Sequence, residues 1–219
     1  MIPPEQDGDF VAALEDVLDV YERPYDPKRP VVCMDEQPRQ LIGEELVPME
    51  AKPGQVLRYD NQYKRNGTVC NFMFFEPLGG RRRVSVRERR TQLDFAEEMA
   101  HLLDVDYPDA EVVVLVMDNL NTHKIGSLYE RFPPEQARTY AKRLEIHFTP
   151  KHGSWLNMAE IECSVLSCQC LDRRIGDIKT FRKEVKAWQD ARNADARGAD
   201  WQFKTVDARS KLKRLYPQN

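Results

Sequence analysis

The sequence lacks the segments that direct a protein into or across a membrane. No apolar run approaches the roughly 20 residues that a membrane-spanning helix needs. The N-terminal residues MIPPEQDGDF contain no basic segment followed by an apolar one, so no secretory signal is expected. The sequence therefore predicts a cytoplasmic protein without a membrane partner.

Cysteine is also scarce, and its spacing argues against a structural metal. The number of cysteines is odd, no two of them form a CxxC pair, and Cys168 and Cys170 would point to different faces of a helix. This pattern favours free buried thiols over a zinc site. The five residues are Cys33, Cys70, Cys163, Cys168 and Cys170.

Neither sign of charge dominates the whole chain, but the charges are unevenly distributed. The net charge is −3; residues 1–50 hold 13 acids and 4 bases, whereas residues 171–219 hold 7 acids and 13 bases. A basic C-terminal part is compatible with a surface that contacts phosphates, although solvated helix faces produce the same count. Because 41% of the 219 residues are apolar, we expect one compact domain.

The order of apolar patterns predicts an α/β fold. Two apolar runs, VVCMDE at 31–36 and EVVVLVMDN at 111–119, are typical of buried strands. Further strands are expected at 68–76 and 82–90, as a hairpin, and at 144–148, with helical spacing at 8–22, 92–103, 134–143, 154–171 and 177–192. We therefore expect a mixed five-stranded sheet, of three antiparallel strands plus two parallel ones, with helices on both faces.

Two aspartates end the apolar strand segments. Asp35 and Asp118 both stand where open α/β sheets place their ligand-binding crevice. Either aspartate alone could equally well cap the following turn. Both together, with a third acid on a helix, favour a site for hard divalent cations such as Mg²⁺, which prefer carboxylate oxygens.

The helix expected after residue 153 offers two candidates for that third acid. Glu160 and Glu162 lie two residues apart, so they point about 200° apart on a helix and only one can face the site. The helix stripe around Glu160 is mixed and polar, whereas Glu162 lies among apolar residues. This difference favours Glu160 and leaves the surroundings of Glu162 unexplained.

Three segments resemble the signature blocks of DDE transposases, in the mariner-like branch found among bacterial insertion sequences. They are VVCMDE, VVVLVMDNLNTHK and HFTPKHGSWLNMAEIE, and the resemblance covers nearly the whole chain, including KLKRLYP near its end. It implies an RNase H-like fold with Asp35, Asp118 and Glu160 as the catalytic and metal-binding triad. Glu160 follows WLN, as the glutamate of the family does.

Two features depart from the family pattern. The 41 residues between Asp118 and Glu160 are more than this branch usually has, so an extra segment is expected near 125–143. Cys163 stands where an aromatic residue would be expected. Neither departure affects the triad.

The resemblance implies the activity of a transposase. Such an enzyme is a metal-dependent DNA endonuclease that cleaves at transposon ends and then transfers the freed 3′-hydroxyl to target DNA. The implied cofactor is Mg²⁺ or Mn²⁺, as two ions, and the implied partners are transposon-end and target DNA, bound by a homodimer. In a bacterium, the protein would be associated with the nucleoid when bound to DNA.

The same resemblance suggests how the chain is organised. The helix-turn-helix region that recognises transposon ends in this branch has no room before Val31, so a catalytic domain alone is expected. The boundaries are an N-terminal helical arm over residues 1–30, an RNase H-like core over 31–175 and a C-terminal helical extension over 176–219.

Two polar residues close behind Asp118 are candidates for a supporting role. Asn119 and His123 could orient the Asp118 carboxylate or contact a phosphate, but a turn asparagine and a capping histidine are the simpler explanations. Glu36 alternates to the opposite side of its strand from Asp35, so it is not included in the site.

Two basic clusters are candidates for DNA contact. In a strand over 83–89, three arginines would share one face and form a basic ridge, unless that face is simply a solvated sheet surface. A second cluster near the C-terminus could act likewise, or be an ordinary charged tail. The candidates are Arg83, Arg87 and Arg89, and Lys211, Lys213 and Arg214.

Two other functions are compatible with parts of this pattern. An RNA-cleaving ribonuclease H would use similar acids and metals, but the WLN block before Glu160 argues against it. A catalytically inert or domesticated module could bind DNA or dimerise without its recognition domain. All three acids are present, so nothing in the sequence demands inactivity.

Overall fold

The computed structural model describes residues 7–45, 54 and 62–217. Its strands are β1 (Val31–Glu44), β2 (Tyr63–Glu76), β3 (Arg81–Arg87), β4 (Val113–Met117) and β5 (Leu144–Phe148). They form one sheet in the order β3-β2-β1-β4-β5. β1, β2 and β3 are antiparallel, whereas β4 pairs in parallel with both β1 and β5. The expected mixed sheet of three antiparallel and two parallel strands is confirmed.

Seven α-helices cover the two faces of this sheet within the described residues. They are α1 (Gly8–Tyr21), α2 (Gln92–His101), α3 (Gly126–Arg131), α4 (Pro134–Lys142), α5 (Met158–Gln169), α6 (Ile178–Ala194) and α7 (Thr205–Lys211). α3 and α4 occupy the segment near 125–143 that the sequence predicts as an addition. None of the described helices is long and apolar enough to span a membrane.

The helices form two separate apolar layers. On one face, α1, α5, α6 and α7 pack against Cys33 of β1 and Val114 and Val116 of β4. On the other face, α2, α3 and α4 pack against Met34 of β1 and Leu115 of β4. Because β4 is covered on both faces, all five of its residues are buried, which explains its uninterrupted apolar sequence.

The terminal helices belong to the same core as α5. Leu14 of α1, Phe181 of α6 and Ala208 of α7 are all buried in the layer that contains Leu166 of α5. The expected N-terminal arm and C-terminal extension therefore pack against the sheet, and their boundaries at residues 30 and 175 stay a prediction.

The first strand is longer than the sequence suggests. β1 continues to Glu44, so Asp35 lies within the strand and not at its exit. The parallel pairing of β1 with β4 ends with Cys33 opposite Val116, and beyond that point β1 pairs only with β2. The apolar run ends because the second neighbouring strand ends, although the strand itself does not.

The cysteines are free thiols, in agreement with the sequence. Burial is confirmed for Cys33, Cys70 and Cys163. Cys168 is exposed and Cys170 is partly exposed, because α5 ends at Gln169 and its last turn reaches the surface.

A buried ion cluster accounts for the apolar surroundings of Glu162. Its carboxylate lies 2.9 Å from Nε of Arg82 on β3 and 3.0 Å from an amino group of Arg192 on α6. The Arg82 side chain is fully buried and lies over the ring of Phe75. Since buried charges need opposite charges, Glu162 is held in the interior by these two arginines. The cluster joins α5 to the sheet edge and to α6.

We predict that Glu162→Gln destabilises the fold by about 3 kcal/mol or more, since removing one partner leaves buried charge without compensation. Urea unfolding measures the free energy. A matched control is Glu184→Gln, which removes a partly exposed ion pair with Arg173 and should cost no more than about 1 kcal/mol. Equal effects of the two substitutions would contradict the proposed importance of the buried cluster.

Candidate active site

The strand register brings two of the predicted acids together. Cys33 of β1 lies opposite Val116 of β4, so two residues further along, Asp35 and Asp118 extend the same alignment. Both aspartates also alternate onto the face that carries Cys33 and Val116, where α5 packs. Because neighbouring strands lie about 4.8 Å apart, the side chains of Asp35 and Asp118 are close together, and both point toward the start of α5.

The start of α5 is anchored beside Asp35. Asn157 is buried and caps α5: its side-chain oxygen accepts the backbone N–H of Ala159 at 3.1 Å. Its amide donates to the carbonyl of Met34 at 2.8 Å. These two bonds place the first helical turn, which contains Glu160, next to β1. The helix expected from residue 154 begins later, at Met158, and a short 3₁₀ turn at Ser154–Leu156 precedes it.

The three predicted acids line one cavity of about 320 Å³. Asp35, Asp118 and Glu160 reach it from β1, from the end of β4 and from α5, and polar side chains complete much of its wall. The other lining residues are Glu36, Gln37, Pro38, Ser154, Asn157, Cys163 and Ser164. The structure thus gathers the three acids, which are far apart in the chain, at one place.

Crowding of these acids changes the pKa of Asp35. Burial raises its pKa to about 7, against the effect of the Glu36 backbone N–H, which donates to Asp35 at 2.8 Å. The negative charges of Asp118, Glu160 and Glu36 add to the upward shift, and about 7 is the net value. A carboxylate destabilised in this way gains from any cation that enters the cavity.

The donor set fits a hard divalent metal. Among the described residues, no three His, Cys, Asp or Glu side chains are grouped closely enough to hold a metal as they stand. Oε2 of Glu160 is nevertheless buried, and no hydrogen-bond partner for it is found in the described part of the chain. Carboxylate oxygens crowded in one cavity are the ligands that Mg²⁺ and Mn²⁺ prefer.

His123 contacts Asp118 directly. Its Nδ1 lies 2.8 Å from Oδ1 and 3.1 Å from the backbone carbonyl of Asp118, and its Nε2 lies 3.0 Å from Oε1 of Glu36. Burial by itself would lower the pKa of His123, but the hydrogen bonds to Asp118 and Glu36 outweigh it and raise the pKa to about 9. His123 therefore contacts the carboxylate of Asp118 as well as the backbone of the turn.

Asn119, which directly follows Asp118 in the chain, lies at a second cavity beside it. It is exposed and lines a larger cavity of about 740 Å³, which shares Asp118 and Ser154 with the acidic cavity. The loops after β4 and β5 and the start of α1 form its walls; among them are Asn121, Thr149, Lys151 and His152, as well as Asp7 and Asp9. Asn119 is therefore placed to meet a molecule that approaches Asp118 through this cavity.

The arginine ridge is only partly as the sequence suggests. Arg83 and Arg87 do share a face opposite Val84 and Val86, but α2 covers that face. Arg83 is paired with Glu98 and Asp106, and Arg87 with Asp94, Glu97 and Glu98. Arg89 lies beyond the end of β3 and is exposed. Two of the three arginines are thus neutralised within the chain, which disfavours a ridge open to DNA.

The C-terminal basic cluster lies at the surface near α1. Lys211 and Lys213 are exposed, and Lys211 pairs with Asp207 at 3.5 Å. Arg214 is exposed as well, in the 3₁₀ turn Lys213–Leu215. The carbonyl of Leu215 accepts the backbone N–H of Asp7, so this turn is attached to the beginning of α1.

The acidic site and the fold around it match a known family. Residues 30–182 match the family model described as DDE superfamily endonuclease. The chain belongs to this family. The match begins just before β1 and ends within α6, so the matched range includes Asp35, Asp118 and Glu160. A search of curated proteins finds no match.

Solved structures support the same fold for the DDE domain. The Mos1 mariner paired end complex with Mn superposes with a TM-score of 0.59 at 15% identity, over 87% of this chain and 58% of that one. The Mos1 transposase paired-end complex with left transposon end gives 0.63 at 13% identity, over 100% of this chain and 66% of that one. The chain therefore spans less than two thirds of the Mos1 chains, and at these identities the likeness shows the fold alone. The expected RNase H-like architecture is confirmed.

Two residues of the site could not be recognised from the pattern of acids. Asn157 could have been found as a helix cap, since asparagine is a preferred residue there, but Ser154 gave the same signal three residues earlier. Glu36 does alternate away from Asp35, as expected. Its contact with His123 depends on a loop that curls back to the second face of the sheet, and no local pattern predicts that contact.

We predict that Asp35→Asn changes how the stability of the metal-free DDE domain depends on pH. An aspartate with a pKa of about 3.9 when unfolded and about 7 when folded favours the fold below pH 4, and this contribution is lost as the pH rises to 7. Asparagine does not titrate. The melting temperature of the wild type in EDTA, relative to Asp35→Asn, should therefore fall by at least about 4 °C between pH 4.5 and 8. A constant difference across this range would refute the raised pKa of Asp35 in the folded domain.

Proposed function

We propose that this chain is the catalytic domain of a DNA transposase, which cuts DNA strands at transposon ends and joins the freed 3′-hydroxyl to target DNA. One observation carries the proposal: in a DDE superfamily endonuclease, Asp35, Asp118 and Glu160 line a single cavity at the end of the parallel strands. In open α/β sheets, ligands bind at this edge.

Asp35, Asp118 and Glu160 would hold two Mg²⁺ or Mn²⁺ ions. Bound there, such ions stabilise both the attacking and the leaving oxygen of an in-line displacement at phosphorus. The protein residues contribute position: Asn157 fixes α5 beside β1, and the β1–β4 register aligns the two aspartates. No nucleophilic side chain is needed for this reaction, since water or a 3′-hydroxyl makes the attack.

The proposed partners are transposon-end DNA and target DNA, bound by a homodimer. The similar Mos1 structures are described as paired-end and strand transfer complexes, which supports a dimeric arrangement on two DNA ends. The domain boundaries at residues 30 and 175 and a location at the bacterial nucleoid are parts of the same proposal. The other candidate, an inert DNA-binding or dimerisation module, has no specific observation in its favour.

We predict that Asp118→Asn abolishes strand cleavage. The substrate is a plasmid carrying the DNA that flanks the coding sequence, incubated with Mg²⁺ or Mn²⁺, and nicking is followed on gels. Substitution of a residue that contacts a metal ligand typically lowers metal affinity or activity by about 10–100-fold. Loss of a ligand itself should therefore lower the cleavage rate by more than about 100-fold. Asp35→Asn and Glu160→Gln should behave alike.

The matched control for this experiment is Asp190→Asn on α6, an exposed acid paired with Lys186. It should cut at the wild-type rate. Nicking that persists in Asp118→Asn would contradict the proposed active site, and absence of nicking by the wild type with either metal would favour the inert module.

DNA would reach the acids through the larger cavity. Asp118 separates this cavity from the acidic one, and Asp7 lies on its rim. The turn with Lys213 and Arg214 is bound to Asp7 through the carbonyl of Leu215, so these basic side chains lie near the entrance. They would offset the repulsion between phosphates and the acids at the start of α1.

We predict that Lys213→Gln weakens DNA binding and makes it less dependent on salt. Each phosphate contact that is lost reduces the slope of log K against log salt by about 0.9. Fluorescence anisotropy with duplex DNA at several salt concentrations measures the slope. Lys186→Gln, on the outer side of α6, is the control and should leave the slope unchanged. Equal slopes for Lys213→Gln and wild type would argue against this path.

A further inference from the structure

His123 is a buried side chain held between two carboxylates. It is 1% exposed and its ring stacks on Phe95 of α2, with the ring centroids 5.0 Å apart. Nδ1 faces the carboxylate and carbonyl oxygens of Asp118, and Nε2 faces Glu36. The three residues form a continuous chain from one face of the sheet to the other.

The geometry leaves the imidazole ring only one useful orientation. Both ring nitrogens meet oxygen atoms that accept hydrogen bonds, so both act as donors. A rotation of the ring about χ1 or χ2 would break both contacts and disturb the stacking on Phe95. Glu36 is itself confined, since its side chain is 2% exposed and a guanidinium nitrogen of Arg90 lies 3.8 Å away.

Asp118 is the acid that most needs such support. It follows the last residue of β4, and its side chain is 32% exposed between two cavities. A short side chain at a strand end can adopt several rotamers, and fixing one of them on metal binding costs conformational entropy. Asp35 is held differently, since it accepts a hydrogen bond from the adjacent backbone N–H.

We propose that Glu36 and His123 are positioning residues, which hold the Asp118 carboxylate in the orientation that receives a metal ion. The inference rests on the proposed function, in which Asp118 is a metal ligand. His123 reaches both the carboxylate and the backbone carbonyl of Asp118, so it restrains the side chain relative to its own backbone. Glu36, on the opposite face of β1 from Asp35, supports Asp118 through His123.

Two substitutions of His123 separate its contacts. The side-chain amide of asparagine reaches about as far as Nδ1, so His123→Asn keeps a donor for Asp118 and loses Glu36. The amide of glutamine reaches about as far as Nε2, so His123→Gln keeps Glu36 and loses Asp118. Two substitutions of Glu36 form a second pair: Glu36→Gln keeps an oxygen that accepts from Nε2, and Glu36→Ala removes it.

The measurement is Mn²⁺ binding to the full chain without DNA, followed by the electron paramagnetic resonance signal of free Mn²⁺. Partners of metal ligands typically contribute about 10–100-fold in affinity, so His123→Gln and Glu36→Ala should raise the dissociation constant at least about 10-fold. For His123→Asn and Glu36→Gln, the logarithm of the dissociation constant should change by no more than about a third of that amount. Melting temperatures in EDTA show whether a variant is less stable than the wild type. A merely structural role of His123 and Glu36 would lower these temperatures without producing the pairwise pattern of Mn²⁺ affinities.

Controls distinguish failure of the inference from failure of the proposed function. Asp118→Asn should weaken Mn²⁺ binding, and Asp190→Asn should not change it. If Asp118→Asn binds Mn²⁺ like the wild type, both the metal site and the inference are overturned. If Asp118→Asn weakens binding while His123→Gln and Glu36→Ala do not, only the positioning role is overturned. Should the His123 variants fail to fold, the Glu36 pair decides: equal affinities for Glu36→Ala and wild type overturn the role.

Discussion

The parallel pairing of β1 with β4 is the constraint on which the rest of the site depends. It places Cys33 opposite Val116, and residues 35 and 118 follow in the same alignment on the same face of the sheet. A shift of one residue in either strand would turn one aspartate to the opposite layer, because side chains alternate along a strand. The buried apolar residues on both faces of β4 oppose such a shift, so core packing and active-site geometry are specified by the same contacts.

The third acid depends on how α5 lies on the sheet, and two interactions determine this. Asn157 binds the backbone of β1 at the start of the helix, and Glu162 joins Arg82 and Arg192 one half-turn after Glu160. Glu160 and Glu162 therefore have opposite roles, although they are two residues apart on one helix. One faces the cavity, and the other anchors the helix whose position the first requires.

Much of this fold could be predicted from the sequence, and the failures have identifiable causes. Strand identity follows from local apolar patterns, so β4 and the β2–β3 hairpin were recognisable. Helix periodicity also predicted that Glu160 and Glu162 point in opposite directions. The length of β1 was not, because its second half is stabilised by pairing with β2 and has no apolar run of its own. The arginines of β3 alternate as expected, but only the structure shows that α2 supplies their acids.

The site also shows why a cluster of acids can exist inside a stable domain. Burial and neighbouring charges raise the pKa of Asp35 to about 7, so the metal-free fold carries a cost at neutral pH that a bound cation removes. His123 brings positive charge to the edge of the cluster, since its hydrogen bonds to Asp118 and Glu36 raise its own pKa to about 9. An arrangement with a second such histidine beside Asp35 would be more stable without metal, but it would also compete with the cation. Within the described part of the chain, a cationic side chain supports Asp118 but none forms an ion pair with Asp35 or Glu160. This difference keeps the cavity attractive to divalent ions while the orientation of Asp118 is maintained.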